Sequence, residues 1–307
     1  MKYSKENREK ANFEDIYTSP TPHAYINTMA EHGYEIGEQA RPYCIAAVEL
    51  LLEKKRDSQP IHMLDVGCSY GMGSAFVKYG CSFDEMVGFF STRAPEEPEA
   101  ACDATRNWLE VTPQPYDICS VGLDSSEPAI SFAMNAGMLD HGIVRDFENS
   151  KDRLTVEEIS WLRRCDLLIS TGAIGYITNR TITQVLENFG KDCSYEYAPI
   201  AVLTCLRMFD TTPIENAFES NSFKFEKVPG IMLPQRSFAN KNEKKEILKI
   251  LHNKVVDTSQ WEDHGKLYAE LFIAAKPGHF QELFEKIKET HSICVDNESN
   301  NITYINR

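Results

Sequence analysis

The sequence predicts an α/β protein in which short buried strands alternate with helices and the strand ends carry the chemistry. Three observations carry this. An apolar run, Ile61-His62-Met63-Leu64-Asp65, stops on an acid, turns on Gly67 and enters a helix near Ser69 to Gly71. Two later runs, 118–124 and 142–148, again end on acids, and 118–124 leads straight into a helical segment. Further apolar runs at 165–170 and 200–206 continue the alternation, and two late strand-like segments, 223–238 and 267–275, flank a helical one.

Taken in order, residues 1–12 are polar. An arm follows whose prolines, Pro20 and Pro22, interrupt any helix and whose aromatics fall at Phe13, Tyr17, Tyr25 and Tyr34. Tyr17, His23 and Tyr25 are the expected substrate-side residues if this arm closes as a lid. A helix spans 38–55, with Ile45, Val48, Leu51 and Leu52 on one face.

At the turn, Gly67 and Gly71 let backbone approach a ligand, with Cys68 and Ser69 between them. A strand entering a helix through such a turn offers unpaired N–H groups and a favourable dipole to a carboxylate. Asp65 adds an acceptor for an ammonium, so a ligand carrying both groups suits the pair. The glycine spacing is wrong for a dinucleotide fingerprint, and the turn lacks the Gly-Lys-Ser/Thr ending of a P-loop. Gly67-Cys68-Ser69-Tyr70-Gly71 does read as G-x-S-x-G, a nucleophile elbow with Ser69 as nucleophile. That reading is disfavoured, because few strands and no HGGG-like segment precede it.

A helix covers 71–79. Segments 82–90 and 98–111 then read as helical where a strand is due, so 81–115 is an expected helical insertion. The strand at 118–124 ends in Asp124, followed by Ser125 and a Ser-Glu-Pro-Ala-Ile helix entry. An acid there can accept both hydroxyls of a ribose. Thr155 and Glu158 form a capping box for a helix at 155–164. The run at 165–178 is a strand with its exit loop, placing Ser170, Thr171, Gly172 and Tyr176 at the sheet's ligand-binding edge. Helices are expected at 181–189, 243–253 and 279–290, the last followed by a polar tail.

Together, Asp65/Gly67/Gly71, Asp124 with its helix entry, Asp146 and the 170–176 loop, four strand-end features in order, resemble the class I methyltransferases that use S-adenosylmethionine (SAM). Ser69 stands where many members carry glycine, and the insertion departs from their layout. The resemblance covers about 60–276. It implies a Rossmann-like sheet of seven mostly parallel strands ending in an antiparallel pair, roofed by residues 1–58 and 81–115. The implied units are a helical lid at 1–58, a SAM-binding domain at 59–278 and a C-terminal helix and tail at 279–307. It also implies that Asp146 contacts the adenine amino group while Phe147 packs on the ring.

The resemblance makes methyl transfer to a small molecule the first expectation. Azetidine-2-carboxylate synthases share the fold and displace methylthioadenosine from SAM by its own amine. If this chain did likewise, Tyr176 or Asn135 would hold the strained conformer. A non-catalytic SAM-binding protein is the third reading.

Hydrophobic residues make up 42% and charged residues 25%, ordinary for a globular enzyme. The net charge of −14, with no basic stripe, disfavours nucleic acid as a partner. Nine dispersed cysteines without a C-x-x-C pair point to a reduced cytoplasmic protein rather than a disulfide scaffold or a zinc site. No apolar run approaches membrane-spanning length, and no metal-ligand cluster is visible. No pattern specifies an oligomeric state.

Overall fold

The computed structural model describes residues 14–55, 59–150, 153–193 and 199–305. The polar segment 1–12 and Phe13 lie outside the described residues.

An arm opens with a 3₁₀ turn at Glu14–Tyr17 and helix α1 (His23–Glu31), followed by α2 (Ile36–Lys54). Strand β1 (Ile61–Val66) leads into α3 (Met72–Tyr79), α4 (Phe83–Thr92) and α5 (Pro98–Glu110). Then come β2 (Ile118–Asp124), α6 (Glu127–Asn135), β3 (His141–Val144), α7 (Val156–Arg164), β4 (Leu167–Ser170), α8 (Asn179–Leu186) and β5 (Ile200–Leu206). The chain ends with α9 (Thr212–Ser220), β6 (Lys224–Ser237), α10 (Lys241–Asn253), β7 (Lys266–Ala275) and α11 (Pro277–Ile305).

The strands form one seven-stranded sheet in the order β3-β2-β1-β4-β5-β7-β6. The pairs among β1 to β5 are parallel, while β7 runs antiparallel to both β5 and β6. This is the Rossmann-like α/β arrangement expected, including its late antiparallel pair. Every residue of β5 is buried, because each face of the sheet is covered. Ile200 and Val202 face the core shared with α2, α10 and α11, whereas Ala201 and Leu203 face the other core, built with α7, α8 and α9. Such alternation within a continuous apolar run is the period-two signature of a strand buried on both sides.

Four expectations need correction. The helix α2 is no lid: Val48 and Leu51 are fully buried in the sheet's own core, as is Leu283 of α11. The boundaries expected at 58/59 and 278/279 therefore separate no cores, and the covering arm among the described residues is 14–35. β3 stops at Val144 rather than reaching 148, because the Asp146 carboxylate accepts from the Glu148 and Asn149 amides and bends the chain into a turn. The polar tail after 290 continues α11 to Ile305. Finally, Asn135 sits at the wrong end of the sheet. Helix α6 starts beside Asp124 and runs back along the sheet, so its nine residues carry Asn135 roughly 13 Å away from the ligand-binding edge. Asn135 is exposed there, with its amide toward the Ser131 hydroxyl at 3.5 Å.

The expected insertion is real. Its two helices, α4 and α5, pack into a third core with α1, α3 and α6, from Tyr25 and Met29 through Phe89 to Phe132. The Ser82 capping box starts α4, with Ser82 Oγ accepting from Glu85 N and the Glu85 carboxylate accepting from Ser82 N.

Candidate functional site

Strands β1, β2 and β4 end side by side, and the loops after them meet the arm. After β1 the chain turns through Gly67 at φ +78°, where a Cβ would lie 2.4 Å from Ala173 Cβ and 2.6 Å from Ile177 Cδ1. Only glycine lets this turn lie against the β4 exit loop. Ser69 adopts φ +49°, a left-handed conformation that glycine takes without strain. That accounts for the glycine many class I methyltransferases are expected to carry there.

The two acids flank this turn. Asp65 is 2% exposed, and its Oδ2 accepts from both the amide and the hydroxyl of Ser74, each at 3.0 Å, in the first turn of α3. Burial pushes its carboxyl up to about 7, against the lowering effect of the Ser74 hydrogen bonds and with a smaller push from the Asp124 charge. Asp124 closes the turn: Oδ2 accepts from Ser69 N at 2.9 Å and Oδ1 from Ser126 N at 3.0 Å. Burial raises its carboxyl too, opposed by the backbone amides of Ser126, Ser69 and Ser125. Each Asp124 oxygen keeps a lone pair for a further donor. Ser125 itself is exposed.

The arm is bolted over these groups at both ends. The Tyr70 phenol, fully buried, donates to the carbonyls of Ile16 at 3.0 Å and Ser19 at 2.8 Å, and Ser126 Oγ donates to Tyr17 O at 2.6 Å. At the far end Glu35 N donates to Gln235 O and Ser237 N to His32 O, both at 2.8 Å, and Lys266 pairs with Glu35. Tyr17, Tyr25, Tyr34 and Tyr70 form a continuous ring cluster, with centroids 5.3 Å apart for Tyr17–Tyr25, 6.4 Å for Tyr25–Tyr34 and 5.8 Å for Tyr25–Tyr70. Burial raises the Tyr17 and Tyr25 phenols well above their ordinary value and pushes Tyr34 up to about 12, so all three are neutral hydrogen-bonding groups.

His23 is not poised as a base. Its ring nitrogens engage Thr21 Oγ1 at 3.1 Å and Ala94 O at 3.2 Å, and its edge meets Phe90, pinning α1 to the inserted helices.

The β4 exit loop supplies the remaining wall. Ser170 Oγ is taken up by Val66 O at 2.8 Å, a bridge between β4 and β1, so the side chain is structural. Thr171 and Gly172 stay partly accessible, and Gly172 N donates to Thr204 Oγ1 at 3.0 Å. Tyr176 is half-buried; burial pushes its phenol up to about 12 while the Arg236 charge pulls it down. Its loop is fixed by Glu148, whose carboxylate accepts from the hydroxyls of Thr178 and Thr181, each at 2.7 Å, and from both their amides.

Phe147, expected against an adenine ring, is 7% exposed and packs in the α7–α9 core. Asp146 folds onto its own turn, taking the Asn149 amide group at 3.0 Å as well as the two backbone amides. Ser69 as a hydrolase nucleophile finds no support: its buried Oγ has no hydrogen-bond partner, so no base is engaged with it, and β1 is the first described strand of the sheet.

Sequence reasoning missed Tyr34 as a wall residue, the Tyr70 and Ser126 anchors, and Gln235 and Arg236 from β6. Tyr34 was recognisable only as an aromatic of the arm and Tyr70 only as one within the glycine turn. Gln235 and Arg236 gave no signal, lying far along the chain in an ordinary strand. Among the described residues no group of His, Cys, Asp and Glu can hold a metal ion, and no helix is long and apolar enough to cross a membrane.

No family model and no curated protein matches this sequence. Among solved structures, the chain is similar to the plantazolicin methyltransferase BpumL in complex with SAH, at 11% identity over 85% of this chain and 93% of that one, with a TM-score of 0.40. It is also similar to a TehB-like SAM-dependent methyltransferase from Corynebacterium glutamicum, at 10% identity, 74% and 86% coverage and a TM-score of 0.35. A third is the [4+2]-cyclase SpnF, at 12% identity, 75% and 79% coverage and a TM-score of 0.33.

Proposed function

We propose that this protein is a SAM-dependent enzyme that transfers the methyl group to a small molecule held beneath the arm. The observation that carries the reading is Asp124: a carboxylate at the end of β2, fixed by the Ser69 and Ser126 amides, with lone pairs left for ribose hydroxyls. The unpartnered Ser69 Oγ beside it fits a polar ligand lying along the turn. Asp65 and the Gly67 turn suit the amino-acid end of the same ligand, and Thr171 and Gly172 form its far wall. SAM supplies an already activated methyl group, so alignment is the main task left to the chain. The tyrosine cluster performs it by excluding water and by offering ring faces to a cationic centre.

A second reading, cyclisation of SAM to azetidine-2-carboxylate, gains support from Asp65. An ionised Asp65 would hold the α-amine as ammonium and oppose this reaction; burial raises its carboxyl to about 7 in the unliganded protein, which favours proton acceptance, while the ammonium itself pulls the carboxyl back down. The freed amine then bonds to the γ-carbon as the carbon–sulfur bond breaks, and methylthioadenosine leaves. Incubation with SAM alone, followed by mass analysis, separates the two. Methyl transfer predicts no enzyme-dependent methylthioadenosine without an acceptor. Its rapid release, increasing with pH through about 7 as Asp65 ionises, establishes cyclisation instead.

If the arm covers the ligand, amide hydrogen exchange across 16–35 slows when SAM is added. Tyr70→Phe, which removes the phenolic anchor for the Ile16 and Ser19 carbonyls, should erase much of that slowing. Equal exchange with and without SAM in the unsubstituted protein would demote the arm to packing.

A further inference from the structure

We propose that Gln235 is a ligand-binding residue that recognises the α-ammonium of the sulfonium ligand; this rests on the SAM reading above. In the β6–β7 ladder Pro234 pairs with Tyr268 and Arg236 with Leu267, so Gln235 is the extra residue of a β-bulge. A bulge of this kind re-aims a side chain, here toward the end of the sheet where β4 exits. The Gln235 backbone is locked in place because its carbonyl accepts from Glu35 N at 2.8 Å.

The side chain is 5% exposed, yet Oε1 has no hydrogen-bond partner in the protein. A buried carbonyl oxygen left bare is costly, so a donor from outside the chain is expected to meet it. The surroundings identify the donor. A Cβ on Gly172 would lie 3.3 Å from Gln235 Nε2 and 3.9 Å from the Tyr34 hydroxyl. One residue earlier, Thr171 Oγ1 and Asp65 Oδ2 lie 3.3 and 2.9 Å from the corresponding point at Gly73. The Thr171–Gly172 segment thus links Gln235 to Asp65, and the Tyr25 and Tyr34 phenols sense the Asp65 charge.

Acceptors contributed by two separate strands and aromatic walls favour a cation with several N–H donors and oppose a carboxylate. An α-ammonium meets that description, taking Asp65 on one side and Gln235 on the other. The carboxamide adds an acceptor without adding a second negative charge.

The test is a cycle of two proteins and two ligands, read by calorimetry: the unsubstituted protein and Gln235→Leu, each with SAM and with the SAM analogue that has hydrogen in place of the α-amine. Gln235→Leu should weaken SAM binding roughly 10- to 100-fold and leave the affinity for the deaminated analogue unchanged within about twofold. Equal losses on both ligands, or loss on neither, would overturn the role of Gln235 while leaving the SAM reading intact. Failure of the unsubstituted protein to bind either compound would overturn both. A thermal melt checks the fold, and Gln235→Met, of similar length but without a carbonyl, replaces the leucine variant if that one unfolds.

Discussion

Asp124→Ala should bind SAM roughly 10²-fold or more weakly than the unsubstituted protein, because under the proposed reading it removes a half-buried carboxylate assigned to two ligand hydroxyls at once. The same carboxylate joins Ser69 N to Ser126 N, so its loss also frees the glycine turn from the start of α6. Asp124→Asn keeps one acceptor oxygen and should lose less, on the order of tenfold. Calorimetry with a thermal melt as control decides the matter. An Asp124→Ala protein that melts normally and binds SAM with unchanged affinity would remove the ribose assignment, and with it the main support for the proposed ligand.

Glu243→Ala should be the most destabilising of the substitutions considered. Arg236 and Glu243 are 3% and 1% exposed, joined by two hydrogen bonds of 2.7 and 3.0 Å, and the same carboxylate accepts from Ala239 N at 2.7 Å. Removing it leaves a guanidinium buried beside an unpaired amide, a loss of about 3–5 kcal/mol. At this chain length that corresponds to a melting temperature lower by about 5–8 °C. Joint replacement, Arg236→Met with Glu243→Leu, removes both charges and should recover much of the loss. A melt of Glu243→Ala within 2 °C of the unsubstituted protein, a small shift by the same scale, would show that the pair is not structural. The pair also fixes the end of β6, where Gln235 is aimed and where the Arg236 charge acts on Tyr17 and Tyr176.

Much of the fold was legible in the chain itself. Apolar runs of strand length located β1, β2, β4 and β5, the first two ended by acids, because a strand buried on both faces leaves little room for polar residues. The Thr155–Glu158 capping box marked a helix start, since its side chains satisfy amides that the helix cannot. Asp65 and Asp124 were each readable as a strand-end acid, whereas their meeting at one glycine turn was not.

Tertiary structure alone decided the rest. Asp146 looked like a strand end, but its carboxylate competes for the backbone and ends the ladder early. Phe147 and Asn135 were read by position along the chain, whereas the fold packs the first into the α7–α9 core and helix direction carries the second to the far end of α6. Gln235 and Arg236 come beside the β4 exit loop only because an antiparallel edge strand, irregular at 227–232 and bulged at Gln235, returns to the sheet end about 170 residues after β1, a proximity that no local spacing encodes. Sequence pattern records what each segment must bury. Which polar groups then converge depends on where the strands stand in the sheet, and that is set by the packing of the whole chain.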